Sequence, residues 1–104
     1  MIRHIVTFRV HATDRVERER ALGRLRAELE ALGDLIDDVD ALHVGVDDGS
    51  VPGHWDAVLV SEHPDAAALA RYQIHPEHVR VLSIVAELVA EKSVVDYVPS
   101  SSAG

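Results

Sequence analysis

The chain has no cysteine. That excludes a disulfide framework, a thiolate nucleophile and cysteine-ligated zinc or iron–sulfur centres, and it fits a reducing compartment. Aromatic residues are scarce: Phe8, Trp55, Tyr72 and Tyr97 are the whole set. No apolar run approaches the roughly 18 residues needed to cross a bilayer. The opening residues, Met1-Ile2-Arg3-His4-Ile5-Val6, have neither the long apolar segment nor the small-residue cleavage site of a signal peptide. A cytoplasmic protein with no membrane partner is expected.

Positive charge is also short, with 10 Lys and Arg against 18 Asp and Glu and a net charge of −8. Nucleic-acid affinity comes largely from cations neutralising phosphates, so a nucleic-acid partner is not expected. The one basic concentration, Arg15, Arg18, Arg20, Arg24 and Arg26, is interleaved with Glu17, Glu19, Glu28 and Glu30, which reads as a solvated helix face. Gly-rich phosphate loops are absent, and no Ser or Thr stands in a recognisable activating context.

What remains is rich in Val, Leu and Ala, and 104 residues suffice for one domain with one core. Residues 2–10 alternate, with His4, Val6, Phe8 and Val10 on the more apolar side, the period of a strand. Asp14 can cap a following helix, with Glu17 in capping-box position. Leu22, Leu25, Leu29 and Leu32 form its core stripe, and Gly33 is placed to end it, giving a helix over roughly 14–32. A polar turn with Leu35 and Ile36 tucked in leads to a second strand over 39–46, in which His43 faces away from Leu42, Val44 and Val46.

The Asp47–Gly53 stretch reads as a loop and 54–62 as a third strand. Pro64 is expected in the first turn of a short helix ending near Tyr72. A longer helix starts at Pro76 and runs to about Glu91, with His78, Leu82, Val85 and Val89 on one stripe. Val94–Val98 form the last strand. The domain is placed at 1–98, and the tail over 99–104 has nothing to bury and is expected to be disordered.

Strand, helix, strand, strand, helix, strand is the ferredoxin-like split arrangement of an α+β fold, with the last strand beside the first and all neighbours antiparallel. Its helices cover one sheet face. The other, rich in valine, is left for a second copy, so a homodimer is expected.

Chemistry concentrates at Tyr72-Gln73-Ile74-His75-Pro76-Glu77-His78. The proline biases His75 away from helical geometry, so this is a break between helices. Seven histidines raise the question of a metal. The His75-x-x-His78 spacing lacks the helical His-Glu-x-x-His pattern and carries a proline between the ligands, so no metal and no cofactor are expected. His11, His43 and His63 read as surface positions, and His54 as a residue at a pocket mouth.

Arg3-His4-Ile5-Val6, the strand Trp55-Asp56-Ala57-Val58-Leu59-Val60-Ser61-Glu62, Tyr72 with His75-Pro76-Glu77-His78, and Val94-Val95-Asp96-Tyr97 together resemble the Dabb family, the stress-responsive dimeric α+β barrel proteins. The four motifs occur in order over about residues 1–98. One branch of that family is a plant polyketide cyclase that closes a linear tetraketide by an aldol-type condensation with a tyrosine and a histidine. The resemblance implies those roles for Tyr72 and His78, with His4 and Asp96 lining the pocket. The aromatic residues that line the cyclase's acyl pocket from the first helix are replaced here by aliphatic and small ones.

The expected site therefore has His78 as general base, Asp96 orienting it or else pairing with His4, and Tyr72 and His4 donating hydrogen bonds to a carbonyl-containing ligand. His4, Phe8, Val58, Val60, Val94 and Asp96 are expected on the helix-covered face, with Phe8, His54, Val58, Val60, His75 and Leu82 around a small apolar or oxo, polyketide-like ligand. The chemistry such a site permits is cofactor-free cyclisation, isomerisation or related proton transfer. The alternative is a non-enzymatic stress-responsive dimer whose histidines are structural.

Overall fold

The structure is a computed structural model that describes residues 1–100; most of the expected tail, 101–104, lies outside the described residues. Its elements are β1 (Ile2–Val10), α1 (Arg15–Glu30), α2 (Leu32–Leu35), β2 (Ala41–Val46), β3 (Ala57–His63), α3 (Ala66–Ile74), α4 (Pro76–Leu88) and β4 (Val89–Tyr97). The four strands form one sheet in the order β2-β3-β1-β4, with every pair antiparallel. This is the ferredoxin-like β-α-β-β-α-β fold.

The alternation in β1 does what its period requires: His4, Val6, Phe8 and Val10 are buried and the residues between them are not. Leu22, Leu25 and Leu29 of α1 come down on them as the buried stripe of that helix, joined by Tyr72 from α3 and by Val81 and Val85 from α4. Burying a side chain such as Leu25, with no exposed surface left, is worth about 1.5–3 kcal/mol. The stripe of α4 is thus Val81 and Val85. Leu82 is 38% exposed and His78 half-buried, so both sit at the edge of the buried stripe, beside Val81 and Val85.

Several boundaries differ from expectation for identifiable reasons. Gly33 does not end α1. It lies inside the short α2 without a positive φ, because Leu32 and Ile36 are both buried and the chain must keep turning between them. Leu35, expected to be tucked in, is half exposed as a result. Pro64 precedes α3 instead of opening it: Asp65 is the cap, accepting from the Ala68 amide at 2.8 Å.

Helix α4 stops at Leu88, because the backbone of residues 89–93 is taken by β1, with Val10 opposite Val89 and Lys92 opposite Phe8. β3 runs to His63, opposite Ile2. The loop between β2 and β3 is held by Arg18, whose Nε donates to Asp56 at 2.9 Å and whose Nη2 donates to the Asp47 carbonyl at 3.0 Å. Asp56 also accepts from the Val10 amide. Arg18 is therefore not part of a merely solvated face.

The strand register corrects the face assigned to two residues. Ala57, Leu59, Ser61 and His63 of β3 are the buried, helix-facing set. Val58 and Val60 stand opposite Thr7 and Ile5 on the bare face. A one-residue phase error is enough to invert a strand. The centre of that bare face is Ile5, Val58, Val60 and Val95, and Val95 is 58% exposed.

Candidate functional site

Between the sheet and the helices lies a cavity of about 130 Å³, near the size that accommodates a benzene-sized molecule. His4, Val6 and Phe8 of β1 and Leu59 of β3 line it from the sheet. Leu29 of α1 and Leu82 and Val85 of α4 supply apolar walls, and β4 contributes Val94 and Lys92. Its polar groups are His4, Tyr72, Gln73, His78 and Lys92.

The geometry of His78 follows from the break before it. Inside a continuous helix the Gln73 carbonyl would accept from the amide of residue 77. Here His75 is extended, at φ −60° and ψ 137°, as expected of a residue preceding proline. Its Nδ1 accepts the Glu77 amide at 3.1 Å. The Gln73 carbonyl is left for a side chain and lies 2.9 Å from Nδ1 of His78. A carbonyl only accepts, so this Nδ1 carries the hydrogen, and Nε2 of the neutral ring is an unprotonated acceptor. Burial pushes the His78 pKa down; the Gln73 bond opposes this, while nearby His4 and Lys92 add to it.

His78 is thus held by Gln73 and not by Asp96, so of the two histidines that Asp96 was expected to serve, it serves the other. Asp96 Oδ1 instead accepts from Nδ1 of His4, at 2.5 Å, from the position directly opposite on β4. Nε2 of His4 has no protein partner among the described residues. Tyr72 is 1% exposed, its ring 4.7 Å from that of His78 and 6.3 Å from that of His4, centroid to centroid. Burial alone raises its pKa to about 12, so the hydroxyl is a proton donor throughout the neutral range. No protein group among the described residues bonds to it.

The structure therefore brings His4, Phe8, Tyr72, His78 and Leu82 to one cavity, with Asp96 directly behind His4. It does not bring the others. His75 is the N-terminal cap of α4. His54 is exposed on the β2–β3 loop, 3.1 Å from Asp47. Val58 and Val60 lie on the bare face, where Val58 borders a shallow groove beside Trp55.

His63, read as a surface residue, is fully buried. Its Nδ1–H donates to the Asp38 carbonyl at 2.9 Å, and its Nε2 accepts from the Ser61 hydroxyl at 2.8 Å. The ring packs 4.9 Å from that of Tyr72 and so backs the site. Carrying the alternation Ala57, Leu59, Ser61 two residues further is the signal that finds it. Lys92 was hidden because it fell in the gap between a helix expected to end near Glu91 and a strand expected to start at Val94, and its place opposite Phe8 is set by pairing. Among the described residues no three His, Asp or Glu side chains gather as a group able to hold a metal ion.

Burial also holds the His63 pKa below its ordinary value of 6.5. Between its depressed folded value and its ordinary unfolded one, the unfolded chain binds more protons, so stability rises with pH. The contribution is complete above about 6.5 and is lost as pH falls through the folded value. His78 acts in the same direction. Thermal unfolding followed by circular dichroism should show a midpoint that falls from pH 7.5 to 5, with a shallower fall in His63→Gln. Identical slopes would refute the assignment.

A family model described as Stress responsive A/B Barrel Domain, Dabb, matches residues 2–99. A dimeric protein of unknown function and ferredoxin-like fold from Bacteroides fragilis is 30% identical, over 92% of this chain and 93% of that one, with a TM-score of 0.80. A Dabb family protein from Mesorhizobium loti is 25% identical, over 96% of this chain and 97% of that one, with a TM-score of 0.76. The hydroxynitrile lyase of Passiflora edulis superposes with a TM-score of 0.80 over 97% of this chain and 94% of that one, but at 14% identity the likeness is one of fold. No curated protein matches the chain significantly. Matched by the family model over nearly its whole length, and folded like these relatives, the chain belongs to the Dabb family of stress responsive A/B barrel domains.

Proposed function

We propose that this Dabb protein binds a small oxo compound, polyketide-like in its carbonyl chemistry, in the cavity between sheet and helices and moves a proton on it without a cofactor. The observation that carries the reading is the pairing of opposite proton roles in one apolar cavity. His78 offers an unprotonated Nε2, and Tyr72 offers a hydroxyl that stays protonated. A base beside a donor is what removal of a proton α to a carbonyl requires: the base takes the proton, and the donor stabilises the charge developing on oxygen.

His4, fixed by Asp96, completes the polar wall, and the aliphatic walls limit competition from water. Enolisation of this kind is the first step of aldol-type cyclisation and of isomerisation. The volume of about 130 Å³ admits a short acyl compound and not a long extended chain. The working unit is a homodimer formed through the bare sheet face, in keeping with the dimeric description of the Bacteroides fragilis relative.

The test is deuterium uptake from D₂O at the α-carbon of 2-butanone, followed by proton NMR. With a positioned base, the intact protein should exceed the heat-denatured protein by about 10²-fold or more. Equal rates would refute the catalytic reading and favour a dimer that only binds.

A further inference from the structure

The chain carries nine arginines and a single lysine. Eight of the arginines lie within ion-pair distance of a carboxylate, and the remaining one, Arg9, stacks over the Trp55 ring at 4.6 Å. Lys92 is the exception: among the described residues it has neither a carboxylate nor an aromatic partner. Carboxylates are not in short supply, at 18 against 10 cations. The nearest acidic position on the same face of β4, Asp96, is committed to His4.

The unpaired ammonium stands at the cavity. Pairing with Phe8 turns Lys92 to the helix-covered face of the edge strand, where it lines the cavity with His78, Leu82 and Val94. Its charge is felt by His78, whose protonation it disfavours. A cation at the rim of an apolar cavity selects ligands that carry an anion at one end, through a charge-assisted contact.

Resting on the function proposed above, we infer that Lys92 anchors the carboxylate of a short 3-oxo acid whose ketone enters the cavity toward Tyr72 and His78. The class follows from chemistry. In a 3-oxo acid the carbon between carboxylate and ketone is the acidic one, so anchoring one end and hydrogen-bonding the other leaves that carbon to the base. The cavity volume fits the smallest member, 3-oxobutanoate.

The test compares 3-oxobutanoate with 2,4-pentanedione, a neutral diketone of nearly the same shape, by NMR titration at pH 7.5 of the wild-type protein, Lys92→Gln and Lys92→Arg. Wild type should bind 3-oxobutanoate about tenfold more tightly than the diketone. Lys92→Gln should erase that preference while changing diketone affinity by less than about twofold, and Lys92→Arg should keep it within about threefold, since both cations pair with a carboxylate. Diketone binding with shifts at His4, Tyr72 and His78 but no preference for the anion would overturn this inference and leave the cavity reading standing. A preference that survives in Lys92→Gln would do the same. If neither compound shifts the cavity resonances, the cavity reading falls and this inference with it.

Discussion

His78→Gln is expected to lower the rate of deuterium uptake into 2-butanone by about 10²- to 10⁴-fold, the usual contribution of a positioned general base. Glutamine is chosen because its amide can still donate to the Gln73 carbonyl, so the end of α3 stays tied to α4. The lost element is the unprotonated ring nitrogen. Tyr72→Phe should cost about 10²-fold in the same assay by removing one donor to the developing oxyanion, with the ring left in its buried place against His63 and His78. Unfolding midpoints close to wild type in both variants would show that the fold is intact. Wild-type uptake in His78→Gln would remove His78 from the base role.

Val60→Asp is expected to dissociate the protein into monomers. The residue sits on the bare sheet face, opposite Ile5 in one neighbour and His43 in the other, beside Val58 and close to Val95, which is 58% exposed. A two-fold interface meets any substitution twice. An unpaired carboxylate buried there costs several kcal/mol, so dimer affinity should fall by at least about 10³-fold. Sedimentation velocity should show wild type at twice the chain mass and the variant at the chain mass. Val16→Asp, on an exposed part of α1, is the control and should remain dimeric. A dimeric Val60→Asp would place the interface elsewhere.

The elements of this fold were legible in the sequence because each carries its own period. β1 alternates cleanly, the α1 leucines recur at helical spacing, and Pro76 marks the helix junction. What was not legible depended on pairing between distant segments. Val58 and Val60 belong to a strand apolar on both faces, so its phase is decided by register with β1 and not by its own pattern. The start of β4 at Val89 is likewise imposed by β1, and it converts Lys92 from a helix-end residue into one that lines the cavity.

The site shows the same division. The types and rough meeting of His4, Tyr72 and His78 were readable from the strand and helix periods taken with the family resemblance, together with Asp96 as a histidine's partner. Which histidine it serves was not, because that turns on cross-strand register at His4 and on a main-chain carbonyl at Gln73. A backbone acceptor leaves no mark in composition. His63 was missed because the strand was expected to end at Glu62, one residue short of it, and because the Asp38 carbonyl that satisfies its buried ring is distant in sequence.

The proposed chemistry requires His78 to be a neutral base with its proton on Nδ1 and its Nε2 free. The most direct measurement is long-range proton–nitrogen correlation NMR of the histidine side chains at pH 7, with His78 assigned by its absence in His78→Gln. Nδ1 should be protonated and Nε2 pyridine-type, with a resonance that moves when 2-butanone is added. A proton on Nε2, or on both nitrogens, would contradict that chemistry.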